Sequence, residues 1–162
     1  HLAAAYAAIA NGGTAVKPTL LHHTTPVVGT RLMQEKVAHQ AVLMMREVVT
    51  RGTASYANIP GYAIAGKTGT ADKPKPSGGY YKDKVVNTFA STFPAHDPKD
   101  VLIVTLDEPV DTSSSEPRRT AGYTAVPVAA EVVRRTAPLL GLRPEIEVPG
   151  QNALTAVVQK KN

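Results

Sequence analysis

The sequence lacks cysteine and tryptophan altogether. Without cysteine, the chain can form neither disulfides nor zinc sites built on thiolates. Histidine is scarce too, and the spacing of His22, His23, His39 and His96 does not match that of a metal site. We therefore predict neither a metal nor a cofactor, and we expect these histidines to lie at the surface or at sheet edges.

Long hydrophobic runs are missing as well. No apolar stretch approaches the roughly 20 residues that a membrane-spanning helix needs. There is also no basic and then apolar leader with a cleavage site, and the sequence begins with His1 rather than methionine. We therefore expect the chain to be a piece of a longer protein, with any export signal or membrane anchor lying upstream of it.

Clustered charge is the third absence. The net charge is +5, and the basic doublets Arg118-Arg119, Arg134-Arg135 and Lys160-Lys161 stand apart without interleaved aromatic residues. Because nucleic-acid binding needs a clustered basic face, we expect no nucleic-acid partner. With 162 residues, 43% of them hydrophobic and 19% charged, the chain is instead typical of one globular domain.

Three segments show the apolar spacing of amphipathic helices, namely residues 1–11, 35–49 and 124–137. Glycine or proline follows each of them, as expected at helix ends. In the second segment, the predicted core face consists of Val37, Ala41, Met44, Met45 and Val48, with the methionines as core filler. In the third segment, the predicted core face consists of Val128, Ala129, Val132 and Val133.

Three further segments have strand character: residues 62–71, 85–93 and 101–106. The last is a β-branched run typical of a buried central strand. The connectors contain no helical pattern that would cross over between parallel strands, so antiparallel neighbours are predicted. Residues 15–22 are predicted as a short extended piece, which Pro18 restricts to a sheet edge. The pattern predicts an α+β fold, an antiparallel sheet meander with flanking helices.

The core that these elements can form is thin for the length of the chain, which indicates that further strands are missing. We assign residues 1–143 to one domain. Residues 144–162 are polar, contain Pro144 and Pro149, and are predicted to form a poorly ordered tail.

Two motifs compete for the segment around Lys67. Residues 61–68 match the phosphate-binding pattern G-x-x-x-x-G-K-[ST], and residues 101–108 end in Asp107-Glu108 like a magnesium-binding strand. A nucleotide hydrolase is therefore one hypothesis. However, such a loop must open a helix at its GK[ST] end, and Pro74 and Pro76 disfavour a helix there.

The second interpretation takes Lys67-Thr68-Gly69-Thr70 (the KTGT segment) as the K-T-G element of serine penicillin-recognising enzymes. This element lies on a strand, where alternate side chains share a face. Thr68 and Thr70 would then point to one side, and Lys67 and Gly69 to the other. A glycine at position 69 would let a peptide substrate lie close to the backbone.

A longer match supports the second interpretation. The stretches HLAAAYAAIANGG, YAIAGKTGTAD, FASTFPAHDP and VLIVTLDEP follow one another in the order seen in class B penicillin-binding proteins. Over residues 1–143 the chain resembles the C-terminal part of that family's transpeptidase domain, in particular that of the division-type peptidoglycan D,D-transpeptidases. The resemblance implies an incomplete penicillin-binding fold.

The resemblance also implies a chemistry. In that family a serine attacks the D-alanyl-D-alanine end of a stem peptide, forms an acyl-enzyme, and passes the acyl group to an amine of a neighbouring stem. β-Lactams acylate the same serine. By this resemblance, Lys67 and Thr70 would be the catalytic residues of this segment, and Thr68, Gly69 and Thr70 would bind substrate. Lys67 would supply positive charge near the substrate carboxylate, both threonines would offer it hydroxyls, and the Thr70 N–H would be an oxyanion-hole donor.

Partners and a location are implied in the same way. The partners would be the stem peptide, β-lactams, the missing N-terminal part of the same protein and cell-division proteins. The location would be the periplasm or the outer face of the inner membrane, with an upstream segment as the anchor.

One departure from the family limits what the chain can do alone. None of its serines, at positions 55, 77, 91 and 113–115, has a lysine three residues later, so the S-x-x-K nucleophile is absent, and S-x-N is absent too. We therefore expect the isolated chain to be inactive. One alternative is a non-catalytic penicillin-recognising or division-complex interaction module, and a β-lactamase is a less favoured one. Residues 111–119 are expected to form a mobile loop, with a weaker hypothesis that they line the acceptor side of the cleft.

Overall fold

The computed structural model describes residues 1–21, 25, 27 and 29–145. The elements are α1 (Leu2–Ala10), α2 (Glu35–Thr50), a 3-10 turn (Ser55–Ala57), β1 (Ala65–Pro74), β2 (Tyr80–Phe93), β3 (Asp100–Asp107) and α3 (Ala125–Thr136). The three predicted helices are confirmed, each with both ends within one residue of the prediction. The 3-10 turn was not predicted.

The strands form one sheet in the order β1-β2-β3, and both pairs are antiparallel. Phe89 in the middle strand lies opposite Thr68 on one side and Val104 on the other. The antiparallel meander is therefore confirmed, and together with the helices it makes an α+β fold.

The hairpin between β1 and β2 is longer than the sequence predicts. Residues 72–84 were expected to be a connector, but β1 runs to Pro74 and β2 begins at Tyr80. The turn is closed by two backbone hydrogen bonds between Lys75 and the glycines, at 2.9 and 3.0 Å. Gly78 and Gly79 both have positive φ, which favours glycine and reverses the chain within five residues. A two-stranded ribbon pairs its backbone groups without needing an apolar pattern, so this extension could not be predicted from the spacing of apolar residues.

The third strand does not occupy the predicted position. In the part of the sheet that the structure describes, β3 is an outer strand and its residues are half buried or exposed. Leu102, Val104 and Leu106 pack against the main core, and α1 and α3 contact the strand. A β-branched run predicts a strand covered on both faces, but it does not determine the place of that strand in the sheet order.

Two further predictions concern the extended piece at residues 15–22 and the C-terminal tail. Residues 15–21 form no strand, and the nearest sheet-like pairing is a single bridge between Thr14 and Arg31. His22 and His23 lie outside the described residues, as does the part of the predicted tail from residue 146 onward.

The main core lies between one face of the sheet, α3 and the C-terminal end of α2. Its largest fully buried apolar side chains are Phe89, Ile64, Val49, Val126 and Val133. A smaller cluster, formed by Val42, Ala65 and Ala95 with Ile9 and Met45 against it, lies between α1, α2 and the start of β1.

The predicted core face of α2 is partly confirmed, because Met45 and Val48 pack against the two clusters, but the fully buried line of this helix lies about one residue further along the chain. Its buried residues are Ala38, Val42, Arg46 and Val49, while Val37 is 48% exposed and Met44 is 65% exposed. The buried face includes Arg46, whose guanidinium donates to the Ile64 carbonyl at 2.9 Å and to Asn58 Oδ1 at 3.1 Å. A buried arginine of this kind appears in a sequence pattern as a surface residue, and so the apolar stripe was misplaced.

The predicted core face of α3 is partly confirmed. Ala129 and Val133 are buried, but Val128 is 43% exposed. Ala125, Val126 and Ala130 complete the buried face instead.

A cluster of charged side chains connects the three strands at one end of the sheet: Lys73 on β1, Lys84 on β2 and Glu108 just after β3. Lys73 Nζ lies 2.8 Å from Glu108 Oε1, and Lys84 Nζ lies 3.1 Å from Glu108 Oε2. The hydrogen bond from Lys73, and then that from Lys84, holds the pKa of Glu108 below its ordinary value of 4.5. A carboxylate with a lowered folded-state pKa stabilises the fold above its ordinary pKa, and the stabilisation is lost as the pH falls through the lowered value.

We therefore expect the Glu108→Gln variant to lose less thermal stability than the wild type on acidification from about pH 6 to pH 3. Unfolding followed by circular dichroism at several pH values measures the difference. Because these groups are exposed, the difference should shrink in high salt. Identical pH profiles for the two proteins would show that the cluster contributes nothing to stability.

Candidate functional site

The KTGT segment lies on an exposed part of an edge strand. Helix α2 covers the start of β1, where Ala65 packs with Val42. From Lys67 to Asp72 the side chains are exposed, apart from that of Thr68, which is half buried. One edge of β1 pairs with β2, and no strand of the described residues pairs with the other. The segment therefore presents both its side chains and a backbone edge to solvent.

A strand here excludes the nucleotide-binding interpretation. A phosphate-binding loop needs a helix that begins at the GK[ST] residues, so that N-terminal amides can hold the phosphates. Instead, Lys67 and Thr68 lie within β1, which continues to Pro74. The nucleotide hydrolase hypothesis is therefore rejected.

The hydroxyl of Thr70 is held by the loop that leads into α3. Its Oγ1 accepts a hydrogen bond from the Ala121 N–H at 3.0 Å. Because Oγ1 is the acceptor in this bond, the hydroxyl proton remains available for a ligand. The loop itself is fixed by Asn87, the cross-strand partner of Thr70, whose Nδ2 donates to the Arg119 carbonyl and to Thr124 Oγ1, both at 2.6 Å.

The hydroxyl of Thr68 has a different partner. Its Oγ1 lies 2.8 Å from Oγ1 of Thr53, in the segment that follows α2. Thr68 and Thr70 belong to alternate positions of one strand, so they share the face that lies toward α3. Lys67 and Gly69 take the opposite face.

The ammonium group of Lys67 remains available for a ligand. Lys67 is exposed, and its Nζ donates to the carbonyl of Thr68 at 2.7 Å. By contrast, Lys73 and Lys84 are neutralised by Asp107 and Glu108. Lys67 therefore offers its charge on the exposed side of the strand.

The two glycines of β1, Gly66 and Gly69, differ in whether the packing of the fold leaves room for a side chain. A Cβ on Gly66 would lie 2.6 Å from the ring of the buried Phe89 and 2.8 Å from the Ala90 carbonyl oxygen, so the core itself excludes a side chain there. A Cβ on Gly69 would meet only the Thr88 carbonyl oxygen at 3.8 Å, an ordinary contact. The internal packing therefore does not require glycine at position 69.

The loop before α3 is closed by its own contacts, and the mobility expected of residues 111–119 stays a prediction. Asp111 and Arg118 exchange two backbone hydrogen bonds of 2.8 and 2.9 Å, and the Arg118 Nε donates to Asp111 Oδ2 at 2.8 Å. Hydrogen bonds from Ser113, and then those from Arg118, hold the pKa of Asp111 below its ordinary value. The guanidinium of Arg118 also stacks on the ring of Tyr123 at 4.1 Å. That this loop lines an acceptor site remains a prediction.

No serine is hydrogen-bonded to Lys67 in the described part of the chain. Ser91 is buried and donates to the Leu102 carbonyl, and Ser114 donates to the Glu116 carbonyl. Among the described residues there is likewise no group of three or more His, Asp or Glu side chains that could hold a metal ion. In the same part of the chain, every helix is too short or too polar to span a bilayer.

Three residues around the KTGT segment were not predicted from the sequence: Thr53, Asn87 and Ala121. The sequence held a usable signal for Asn87, since alternation along the strand puts it on the same face as the apolar residues Val85, Phe89 and Phe93, all of which are buried in the structure. A polar residue on a buried face needs hydrogen-bond partners. No sequence signal pointed to Thr53 or Ala121, because nothing in the sequence connects them to a strand 15 or 51 residues away.

Comparison with known proteins gives a consistent result. The sequence model of the penicillin binding protein transpeptidase domain matches residues 1–134. The chain is 33% identical over 158 residues to a probable peptidoglycan D,D-transpeptidase FtsI of Caulobacter vibrioides, covering 91% of this chain and 27% of that protein. It is also 34% identical over 150 residues to the penicillin-binding protein PbpB of Mycolicibacterium smegmatis, covering 82% of this chain and 22% of that protein.

Solved structures agree with the sequence matches. Penicillin binding protein 3 of Mycobacterium tuberculosis in complex with ampicillin superposes with a TM-score of 0.72 at 29% identity, over 93% of this chain and 36% of that one. The transpeptidase domain of Burkholderia pseudomallei penicillin-binding protein 3 gives a TM-score of 0.74 at 30% identity, over 90% of this chain and 43% of that one. The resemblance to class B penicillin-binding proteins is confirmed, and the chain spans less than half the length of each of these relatives.

Proposed function

The chain belongs to the penicillin-binding protein transpeptidase domain family, and on that premise we propose that it forms one wall of a serine D,D-transpeptidase site. The observation that carries the proposal is the exposed KTGT segment on an edge strand. It combines the Lys67 ammonium, two fixed threonine hydroxyls and a glycine that the fold does not need. In this proposal, residues 1–143 are the C-terminal portion of the transpeptidase domain.

The wall suits a peptide that ends in a carboxylate. The hydroxyls of Thr68 and Thr70 donate to the carboxylate from their face of β1. The Lys67 side chain starts on the other face, but it folds back so that its ammonium reaches the Thr68 carbonyl, and from there its charge strengthens the binding. The peptide lies along the open edge of β1, where Gly69 allows close approach of the two backbones. The backbone N–H of Thr70 is proposed as one donor to the oxyanion that forms during acyl transfer.

The remaining groups come from outside this chain. We propose that a segment of the same longer protein supplies an S-x-x-K serine and its base lysine, and we refer to that protein as the complete protein. The serine oxygen attacks the carbonyl of the penultimate D-alanine of a stem peptide, its proton passes to the base, and the terminal D-alanine leaves as the free amine. An amine of a second stem then takes the acyl group and releases the serine.

The proposal includes partners and a location. The mycobacterial relative has been solved with ampicillin and with aztreonam, so β-lactams are proposed as ligands of this site too. Stem peptides ending in D-alanyl-D-alanine are the proposed substrates. Because one relative is named FtsI, cell-division proteins are proposed as partners. The proposed location is the periplasm or the outer face of the inner membrane, with the anchor on the part of the complete protein that lies outside this chain.

The experiment that tests this function is labelling with a fluorescent penicillin. We expect the complete protein to form a covalent adduct that survives denaturing electrophoresis, whereas residues 1–162 alone should form none, because they hold no S-x-x-K serine. Unlabelled ampicillin should compete with the label. A labelled band from residues 1–162 alone would contradict the division of the site between two segments.

The lack of a nucleophile motif in these 162 residues also favours a second candidate, a non-catalytic module that recognises penicillins or division proteins. The same experiment distinguishes the two. A complete protein that binds ampicillin reversibly but never forms a covalent adduct would support the module and contradict the transpeptidase.

A further inference from the structure

We propose that Thr53 is a positioning residue, which sets the hydroxyl of Thr68 for binding the carboxylate of a substrate or β-lactam. This inference rests on the proposed function. It adds a residue that lies outside the KTGT segment, in the segment between α2 and the 3-10 turn.

The contact itself is short and direct. The two Oγ1 atoms lie 2.8 Å apart, a normal distance for a hydrogen bond between hydroxyls. A hydroxyl has one proton to donate and can accept at two lone pairs. When an anion is bound to Thr68, the favourable arrangement is a chain of two hydrogen bonds: Thr53 donates to Thr68, and Thr68 donates to the anion. In such a chain each bond polarises the next, so the anion is bound more strongly.

The position of Thr53 is fixed by close packing on both sides. A Cβ on Gly52 would lie 2.8 Å from the Val48 carbonyl oxygen, so the chain leaves α2 in close contact with the helix end. On the other side, a Cβ on Gly122 would lie 2.6 Å from the Thr53 carbonyl oxygen. Ala54, the next residue, is completely buried and donates its N–H to Val48. The hydroxyl of Thr53 therefore extends from a backbone that has little room to move.

The two threonines of the wall are thus oriented by different means. Thr70 receives its hydrogen bond from the backbone N–H of Ala121, which a side-chain substitution at position 121 does not remove. Thr68 depends on a side chain, that of Thr53. Thr53 is exposed, so its hydroxyl can be replaced without opening a cavity in the core.

The test compares Thr53→Val and Thr53→Ser with the wild type in the complete protein. The probes are benzylpenicillin and its methyl ester, which differ only in the carboxylate. With benzylpenicillin, we expect Thr53→Val to lower the second-order acylation rate about 5- to 20-fold and Thr53→Ser to restore most of it. The neutral carbonyl of the ester is a weaker acceptor than a carboxylate, so with the ester each variant should stay within about twofold of the wild type.

The structure offers a matched control. Thr88 and Thr105 form a second hydroxyl pair on the same sheet, with Oγ1 atoms 3.0 Å apart, on strands β2 and β3. Thr105→Val removes one hydroxyl from that pair and should leave both acylation rates unchanged. Thermal unfolding of each variant shows whether the fold is preserved.

The outcomes separate the two proposals. If the wild-type complete protein is not acylated by either probe, the proposed function itself fails. If it is acylated and Thr53→Val slows the acid and the ester equally, Thr53 acts only on the structure and the inference is overturned. Selective loss for the acid, with rescue by serine and a coupling to Thr68→Val in a double-mutant cycle, supports it.

Discussion

Replacing Lys67 by methionine in the complete protein is expected to lower its acylation by penicillin about 10- to 150-fold, which corresponds to the loss of about 1.5–3 kcal/mol that a hydrogen bond between charged groups contributes. The physical reason is the position of the ammonium group. It is exposed on an edge strand, and its hydrogen bond goes to the carbonyl of Thr68 rather than to a carboxylate. Methionine keeps most of the length of the side chain and removes the charge together with the hydrogen bond to the Thr68 carbonyl.

The measurement is the second-order rate of labelling with a fluorescent penicillin. Lys82→Met is the matched control, because Lys82 is also exposed and also lies on a strand of the sheet. We expect the control to react at the wild-type rate, and both variants to unfold at the wild-type temperature. If Lys67→Met reacts within a factor of about three of the wild type, electrostatic stabilisation by this lysine is ruled out.

Alanine substitutions at Gly66 and Gly69 are expected to have opposite effects, although only two residues lie between them. Gly66→Ala should destabilise the fold by about 1–3 kcal/mol, as overpacking of a core does, because the new Cβ would clash with Phe89 and with the Ala90 carbonyl. Gly69→Ala should leave the stability unchanged or slightly raised, since the new Cβ makes an ordinary contact and alanine has less backbone entropy to lose.

The acylation rates of the two variants should rank in the opposite order to their stabilities. Gly69→Ala is expected to lower the acylation rate about 100-fold, because a displacement of about 1 Å at the reacting geometry can cost that much. Gly66→Ala should retain acylation at temperatures where the variant is folded. Chemical unfolding and penicillin labelling on the same preparations measure both effects. Wild-type labelling by a well-folded Gly69→Ala variant would show that no ligand approaches the backbone at that position.

The features that the sequence predicted well are those set by local physics. The helical spacing of apolar residues gave three helices with correct ends, because caps and periodicity act within a few residues. Short connectors without a helix gave the antiparallel order. The strand at Lys67 followed from Pro74 and Pro76, which exclude the helix that a phosphate-binding loop would require.

The features that were missed depend on contacts between distant segments. The buried face of α2 includes Arg46, whose guanidinium is satisfied by the Ile64 carbonyl and by Asn58. The hydrogen bonds that hold the Thr68 and Thr70 hydroxyls come from two loops brought together by the packing of α3. No spacing rule connects such residues, so only the folded structure reveals them.

A crystal structure of the complete protein acylated by ampicillin would show whether β1 binds the ligand. We expect the carboxylate of the bound drug to lie within hydrogen-bond distance of the Thr68 and Thr70 hydroxyls, with the Lys67 ammonium beside it. We also expect the acyl carbonyl oxygen to accept a hydrogen bond from the Thr70 N–H. An adduct whose carboxylate is bound away from β1, with the KTGT segment still exposed to solvent, would rule out the proposed role of this strand.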